Sequence, residues 1–153
     1  MIQTQINGVV CEYLAAAWFV NLGCVVSWPL DNNAEYDFII ETEGETPQRV
    51  QVKKVYFDNN KNRYIGSLVT PHKRGNGSVI YKKYNEDSFD LCAFVCTEYN
   101  VIYVVPIEFV FKRRSVTFYP DRKEPNITTQ RTISFEQFKH ELINHNGKPI
   151  NNR

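Results

Sequence analysis

Apolar positions along this chain fall first at helical spacing and then in short runs. From about Thr4 to Leu22 they recur at Ile6, Val9, Val10, Tyr13, Leu14, Ala17 and Val20, which predicts a helix, and Gly23 supplies its stop. Cys24 to Trp28 reads as a short strand ended by Pro29, and Leu30 to Glu35 as a loop. Two further strands, Tyr36 to Ile40 and Arg49 to Lys53, flank a turn of breaker residues, Gly44-Glu45-Thr46-Pro47. A polar stretch follows through Asn62, then a strand from Tyr64 to Val69 and a flexible basic loop from Thr70 to Gly77. Leu91 to Thr97 and Val101 to Val105 predict two apolar strands about a turn at Glu98-Tyr99-Asn100. Ser134-Phe135-Glu136-Gln137 has the form of a capping box opening a last helix to about Asn144, with His140 and His145 on its surface. Residues 107–131 show no clear pattern. The order is α/β, without repeats or low-complexity tracts.

The pair of strands around Gly44 is where chemistry enters. If the hairpin folds back near Gly44 and Glu45, Asp37 falls opposite Gln51 to Lys53. Side chains alternate along a strand, so Gln51 and Lys53 share one face and Val50 and Val52 the other. A carboxylate, a carboxamide and an ammonium then converge, a set suited to holding a divalent metal against a phosphate. Lys54 is excluded from that face by the same alternation. Glu12 is the odd residue of the first helix, in the run Val9-Val10-Cys11-Glu12-Tyr13-Leu14-Ala15-Ala16-Ala17. It stands either on the exposed edge of the helix or buried with a partner, because an unpaired buried carboxylate is costly. A helix crossing the Asp37 sheet would bring it to the same metal.

At 153 residues and 42% hydrophobic, the chain is long enough for one domain, residues 1–153, with a genuine core. No run of eighteen apolar residues exists, and Leu14 to Val20 is too short to span a bilayer and is not flanked like a signal peptide. A soluble, cytoplasmic protein without membrane partners is expected. Cys11, Cys24, Cys92 and Cys96 include no Cys-x-x-Cys pair, which favours reduced structural cysteines over zinc ligands. A net charge of +1 hides a strong local bias. Between Arg49 and Lys83 lie nine basic residues against one acid, Asp58, a balance of +8. A charge run is ordinarily a solvated face. Here Tyr56, Phe57, Asn59, Asn60, Asn62 and Tyr64 interleave with it, which better suits a surface that tracks phosphates. No nucleotide-binding loop or nucleophile elbow points to a small-molecule enzyme.

The helix with Glu12, the strand Gly23-Cys24-Val25-Val26, Pro29, Tyr36-Asp37-Phe38-Ile39-Ile40 and Gln51-Val52-Lys53 together resemble the PD-(D/E)XK nuclease superfamily. More narrowly the chain is similar to the small group I intron-encoded homing endonucleases of that type, which carry Gln for the usual second acid, as at Gln51. The motif-bearing likeness spans about residues 8 to 55. A weaker echo continues through Phe89-Asp90-Leu91 and Tyr103-Val104-Val105-Pro106. Pro29 is not adjacent to Asp37, so the "PD" of the name is missing, and neutral Gln51 removes one charge from the metal site.

The resemblance implies a restriction-endonuclease-like core, a central mixed sheet flanked by helices, with the catalytic core at about 1–106 and an elaboration at 107–153. It implies sequence-specific hydrolysis of double-stranded DNA with Mg²⁺, one or two ions per site. Asp37, Gln51, the Val52 carbonyl and Glu12 would be the ligands, and Lys53 would stabilise the phosphorane. Groove-entering candidates are the stretches from Tyr56 to Tyr64 and from His72 to Gly77. The DNA-contact set is Lys54, Lys61, Arg63, Tyr64, His72, Lys73, Arg74, Lys82 and Lys83. A chain this small needs a homodimer or homotetramer to cover a long site. A Holliday junction resolvase is the rival within enzymes, although Met1 to Val10 lacks the basic residue those proteins tend to carry. A non-catalytic DNA-binding module, with Gln51 as the mark of decay, is the rival outside them.

Overall fold

The computed structural model describes residues 3–120 and 138–143, the side chains of Thr4, Thr70, His72 and Lys73 excepted. Helix α1 spans Gln3–Asn21. It ends as the sequence predicts, in a Schellman motif: Gly23 adopts φ 91° and donates its N–H to the Val20 carbonyl at 2.9 Å, while the Cys24 N–H reaches Phe19 O at 3.1 Å. The buried face is not the predicted one. Cys11, Ala15, Ala16, Trp18 and Phe19 are buried, whereas Ile6, Val9, Val10, Tyr13 and Val20 are exposed. The helix is apolar nearly all round, so spacing alone selects no face. The sheet takes the side whose small residues, Cys11, Ala15 and Ala16, allow close approach.

The main sheet runs β1 (Val25–Ser27), β2 (Phe38–Glu41), β3 (Gln48–Asp58), β7 (Leu91–Cys96), β8 (Val101–Pro106) and β10 (Lys139–Glu141) in spatial order. It is mixed: β3 and β7 are parallel, from Val50↔Leu91 to Lys54↔Val95, and the other neighbours are antiparallel. This is the expected α/β class with a central mixed sheet, and α1 is its one α-helix among the described residues. Val50 and Val52 of β3, Ala93 and Val95 of β7, and Ile102 of β8 pack against α1. The alternate residues Val55, Cys92, Phe94, Cys96, Tyr103 and Val105 form a second core on the opposite face. There the cover is a strand layer in which β4 (Arg63–Ser67) pairs with the far half of β3 and β9 (Ser115–Phe118) pairs with β4. Gly66 is paired directly with Val55 in the β3–β4 ladder, where a Cβ would stand 2.6 Å from Val55 Cγ1.

Three predicted segments fold differently. The strand predicted to end at Lys53 runs on through the polar stretch, because β3 continues to Asp58 and turns into β4. The basic stretch from Thr70 is largely β5 (Val69–Lys73), paired with β6 (Val79–Lys83) in a separate two-stranded hairpin whose turn holds Arg74 to Ser78. The end of the predicted last helix is strand β10, with His140 opposite Ile102 and its ring 5.1 Å from Trp18 rather than on the surface. Ser134 to Gln137 and His145 lie outside the described residues. No helix among the described residues is long and apolar enough to cross a membrane.

Candidate active site

The β2–β3 hairpin folds in the register that the turn predicts, with Phe38 opposite Val50 and Ile40 opposite Gln48. Because β2 begins only at Phe38, its ladder with β3 stops at Val50. Asp37 takes over from there with its side chain. Its Oδ2 accepts the Val52 N–H at 2.6 Å and the Gln51 Nε2–H at 2.6 Å, while its own N–H donates to Val50 O at 2.8 Å. Gln51 Nε2 also donates to the Val52 carbonyl at 3.2 Å. A strand residue points its N–H and C=O the same way, so the Val52 carbonyl faces the Asp37 side. Gln51 itself is 8% exposed, a buried polar side chain whose Nε2 makes both hydrogen bonds, to Asp37 Oδ2 and to the Val52 carbonyl.

Asp37 and Gln51 floor a cleft of about 520 Å³. One wall is the loop Asn32 to Glu35; the other is the end of β6, with Lys82, Lys83 and the following Tyr84. Lys53 projects into the cleft two residues along from Gln51, its Nζ 5.1 Å from the centre of the Tyr84 ring. Burial raises the Asp37 carboxyl above its ordinary range, opposed by the Val52 N–H, the Lys53 charge and the Gln51 amide. Glu12, half-buried on α1, is pushed up to about 7, first by burial and then by repulsion from Asp37, with Lys53 pulling the other way. The Glu12 carboxylate on α1 and the Asp37 carboxylate just ahead of β2 therefore share one electrostatic neighbourhood.

The described residues contain no cluster of three His, Cys, Asp or Glu that could hold a metal. The donors that do converge are mixed: the Asp37 carboxylate, the Val52 carbonyl and the Gln51 carboxamide, with Glu12 coupled to them. All are hard oxygen donors once the Gln51 amide turns its Oε1 inward, and such a set suits a small divalent cation that keeps several waters. The cysteines do not compete for this chemistry. Cys11 and Cys92 are buried, and burial drives the Cys92 thiol far above its ordinary value.

The basic window behaves otherwise. Tyr64 is not a surface residue: it is 4% exposed and packs on Phe57 and Tyr103 in the second core, because its strand turns that face inward. Lys54 lies on the α1 face, as alternation requires, and pairs with Glu98 at 3.3 Å. Arg63 pairs with Asp58 across the β3–β4 turn at 3.2 Å, and Lys82 with Glu35 at 3.3 Å across the cleft mouth. Arg49 is held by both carboxylate oxygens of Asp90, at 3.1 and 3.2 Å, and by the Asp87 carbonyl at 2.7 Å. It ties β3 to the start of β7, the segment that echoes the family around Asp90. Lys61, Arg74 and Lys83 are exposed; His72 and Lys73 sit on β5, their side chains outside the description. The cleft walls Asn32 to Glu35 and Tyr84 were not legible as site residues, since loop polarity and a lone aromatic after a basic strand carry no distinctive signal.

The profile of the PD-(D/E)XK endonucleases matches residues 2–140. No curated protein shows significant sequence similarity to the chain. Among solved structures, the bacterial homing endonuclease I-Ssp6803I superposes with a TM-score of 0.72 at 20% identity, covering 90% of this chain and 89% of that one. At that identity the likeness speaks for the fold. The family match spans nearly the whole chain, over the same segments that bring Asp37, Gln51 and Lys53 together, and the chain belongs to the PD-(D/E)XK endonuclease family.

Proposed function

We propose that this nuclease is a sequence-specific double-stranded DNA endonuclease of the homing type, working with Mg²⁺. The observation that carries the reading is the meeting of Asp37, Gln51 and Lys53 in one cleft, with Asp37 Oδ2 2.6 Å from both Gln51 Nε2 and the Val52 backbone N on β3. The fold shared with a protein described as a bacterial homing endonuclease supports the finer assignment. Asp37, the Val52 carbonyl, Gln51 Oε1 and Glu12 would hold the metal, one or two ions per site. When bound, the ion polarises phosphoryl oxygens and lowers the pKa of a coordinated water. Lys53 supplies positive charge where the phosphorane oxygens develop theirs. Lys61, Arg74 and Lys83 are the exposed cations best placed to meet DNA phosphates. The chain acts as one domain, in which residues 107–153 elaborate the 1–106 core through β9 and β10. The exposed apolar face of α1 supports a homodimer or homotetramer, as a long DNA site requires. The protein works in the cytoplasm, where its four cysteines stay reduced.

Cleavage of a randomised duplex library by the wild type and by Lys53→Ala, in Mg²⁺ or Ca²⁺, tests this. Cutting in Mg²⁺ at one long motif, lost by roughly 10²–10³-fold in the variant, is expected. Tight binding in Ca²⁺ without cutting in Mg²⁺ would make it a DNA-binding module instead, and cutting confined to branched junctions would make it a resolvase.

A further inference from the structure

Lys53 differs from its neighbour in how its ammonium is held. Lys54 Nζ pairs with Glu98 at 3.3 Å while also lying 4.9 Å from the Tyr56 ring. Lys53, among the described residues, forms no salt bridge; its Nζ lies 5.1 Å from the Tyr84 ring and feels the Asp37 and Glu12 carboxylates without pairing with either. We infer that Tyr84 is the positioning residue for Lys53, its ring face holding the ammonium in the cleft beside Asp37. The inference deepens the nuclease reading and rests on it for its activity arm.

The physical need is plain. Strand alternation fixes the direction of the Lys53 Cβ but not of the flexible four-carbon stem beyond it. A carboxylate partner would hold the ammonium but cancel its charge and compete with a phosphate for it. An aromatic face attracts the cation by its quadrupole and leaves the N–H donors to the ligand. Tyr84 is fit for the task because it does not move easily. It is 9% exposed and packs edge-to-face on the fully buried Phe89, ring centres 5.0 Å apart at 71°. Its carbonyl accepts the Lys112 N–H at 3.2 Å. It also follows directly on β6, so the hairpin that carries Lys82 and Lys83 is joined to the core at the residue that holds Lys53.

The test compares Tyr84→Phe, which keeps the ring, with Tyr84→Leu, which keeps apolar volume without it. With the wild type active, Tyr84→Leu lowers kcat about tenfold while KM for DNA moves less than about threefold, and Tyr84→Phe retains activity. In the Lys53→Ala background, Tyr84→Leu costs nothing further, because the ring then has nothing to hold. Equal losses with and without Lys53, or a loss in Tyr84→Phe equal to that in Tyr84→Leu, would overturn the inference. A second readout needs no activity. Acetylation of Lys53 by acetic anhydride, followed by peptide mass spectrometry on folded protein with Lys61 as reference, should quicken about threefold or more in Tyr84→Leu and not in Tyr84→Phe. Unchanged labelling would refute the positioning role even if the wild type cuts DNA. Changed labelling in a wild type that cuts nothing would keep the role and remove the nuclease reading.

Discussion

The two halves of the stretch from Gln48 to Lys83 were equally suggestive as sequence and have different fates in the fold. In the first half, Gln48 to Lys53, hairpin register and strand alternation bring Asp37, Gln51, Val52 and Lys53 together within hydrogen-bond distance or along one face of a cleft. In the second half, seven basic residues against Asp58, a balance of +6, suggested a continuous surface for phosphates. Much of it is spoken for: Lys54 pairs with Glu98 and Lys82 with Glu35, both acids from outside the window, and Arg63 with Asp58 inside it. Tyr64, the aromatic interleaved with them, is core. Periodicity is enforced by covalent geometry, so it survives folding. Charge is compensated through space, here mostly by acids that the local window does not contain.

The sharpest way to break this comparison is to alter the first half at its neutral member. Gln51→Glu replaces the amide that donates to Asp37 Oδ2 with a second buried carboxylate. In EDTA at pH 8 the variant should lose roughly 2 kcal/mol, a fall in Tm of about 5 °C. Mg²⁺ should return most of it, and raise the Tm of the variant more than that of the wild type, because the added charge binds the ion. An equal response of both proteins to Mg²⁺ in thermal melts would remove Gln51 from the metal site.

What could be read from sequence follows the same line. The Schellman stop at Gly23, the hairpin about Gly44 and the β7–β8 pair with its turn were legible, since each depends on a few local residues. The buried face of α1 was not, because Ile6, Val9 and Val10 are as apolar as Cys11, Ala15 and Ala16, and only the sheet decides between them. The extension of β3 to Asp58 was missed because Lys54 and Asp58 look like loop residues until Glu98 and Arg63 are seen to receive them. Tyr84 was invisible for a related reason: its meaning is a ring face toward Lys53, 31 positions away in sequence.

Glu12 links α1 to the site, and its titration gives a smaller effect. Its pKa is raised from 4.5 to about 7 in the fold, so the folded protein binds more protons than the unfolded chain between those values. Stability from this group is present below pH 4.5 and is lost as pH rises through 7. With Glu12 half-exposed, solvent screening reduces the loss to about 1 kcal/mol. Urea melts in EDTA between pH 4.5 and 7.5 should show the wild type losing this amount relative to Glu12→Gln. His140, lowered by burial, titrates with the opposite sign and cancels in the difference. A pH-independent difference would detach Glu12 from the Asp37 neighbourhood.

The smallest effect separates the two kinds of lysine inside the basic window. Lys61 is exposed in the turn between β3 and β4, whereas Lys54 is held by Glu98 with its side chain 15% exposed. A lysine that meets a phosphate releases a counterion on binding, and its removal lowers the slope of log K against log salt by about one. Lys61→Ala should show that change, a difference of about threefold to fourfold accumulated between 50 and 200 mM salt. Lys54→Ala should leave the slope alone and show its effect in thermal melts instead, because what it loses is an internal pair. If both substitutions lower the slope equally, Glu98 gives up Lys54 when DNA arrives, and the second half of the window is a phosphate surface after all, merely folded shut against its own acids.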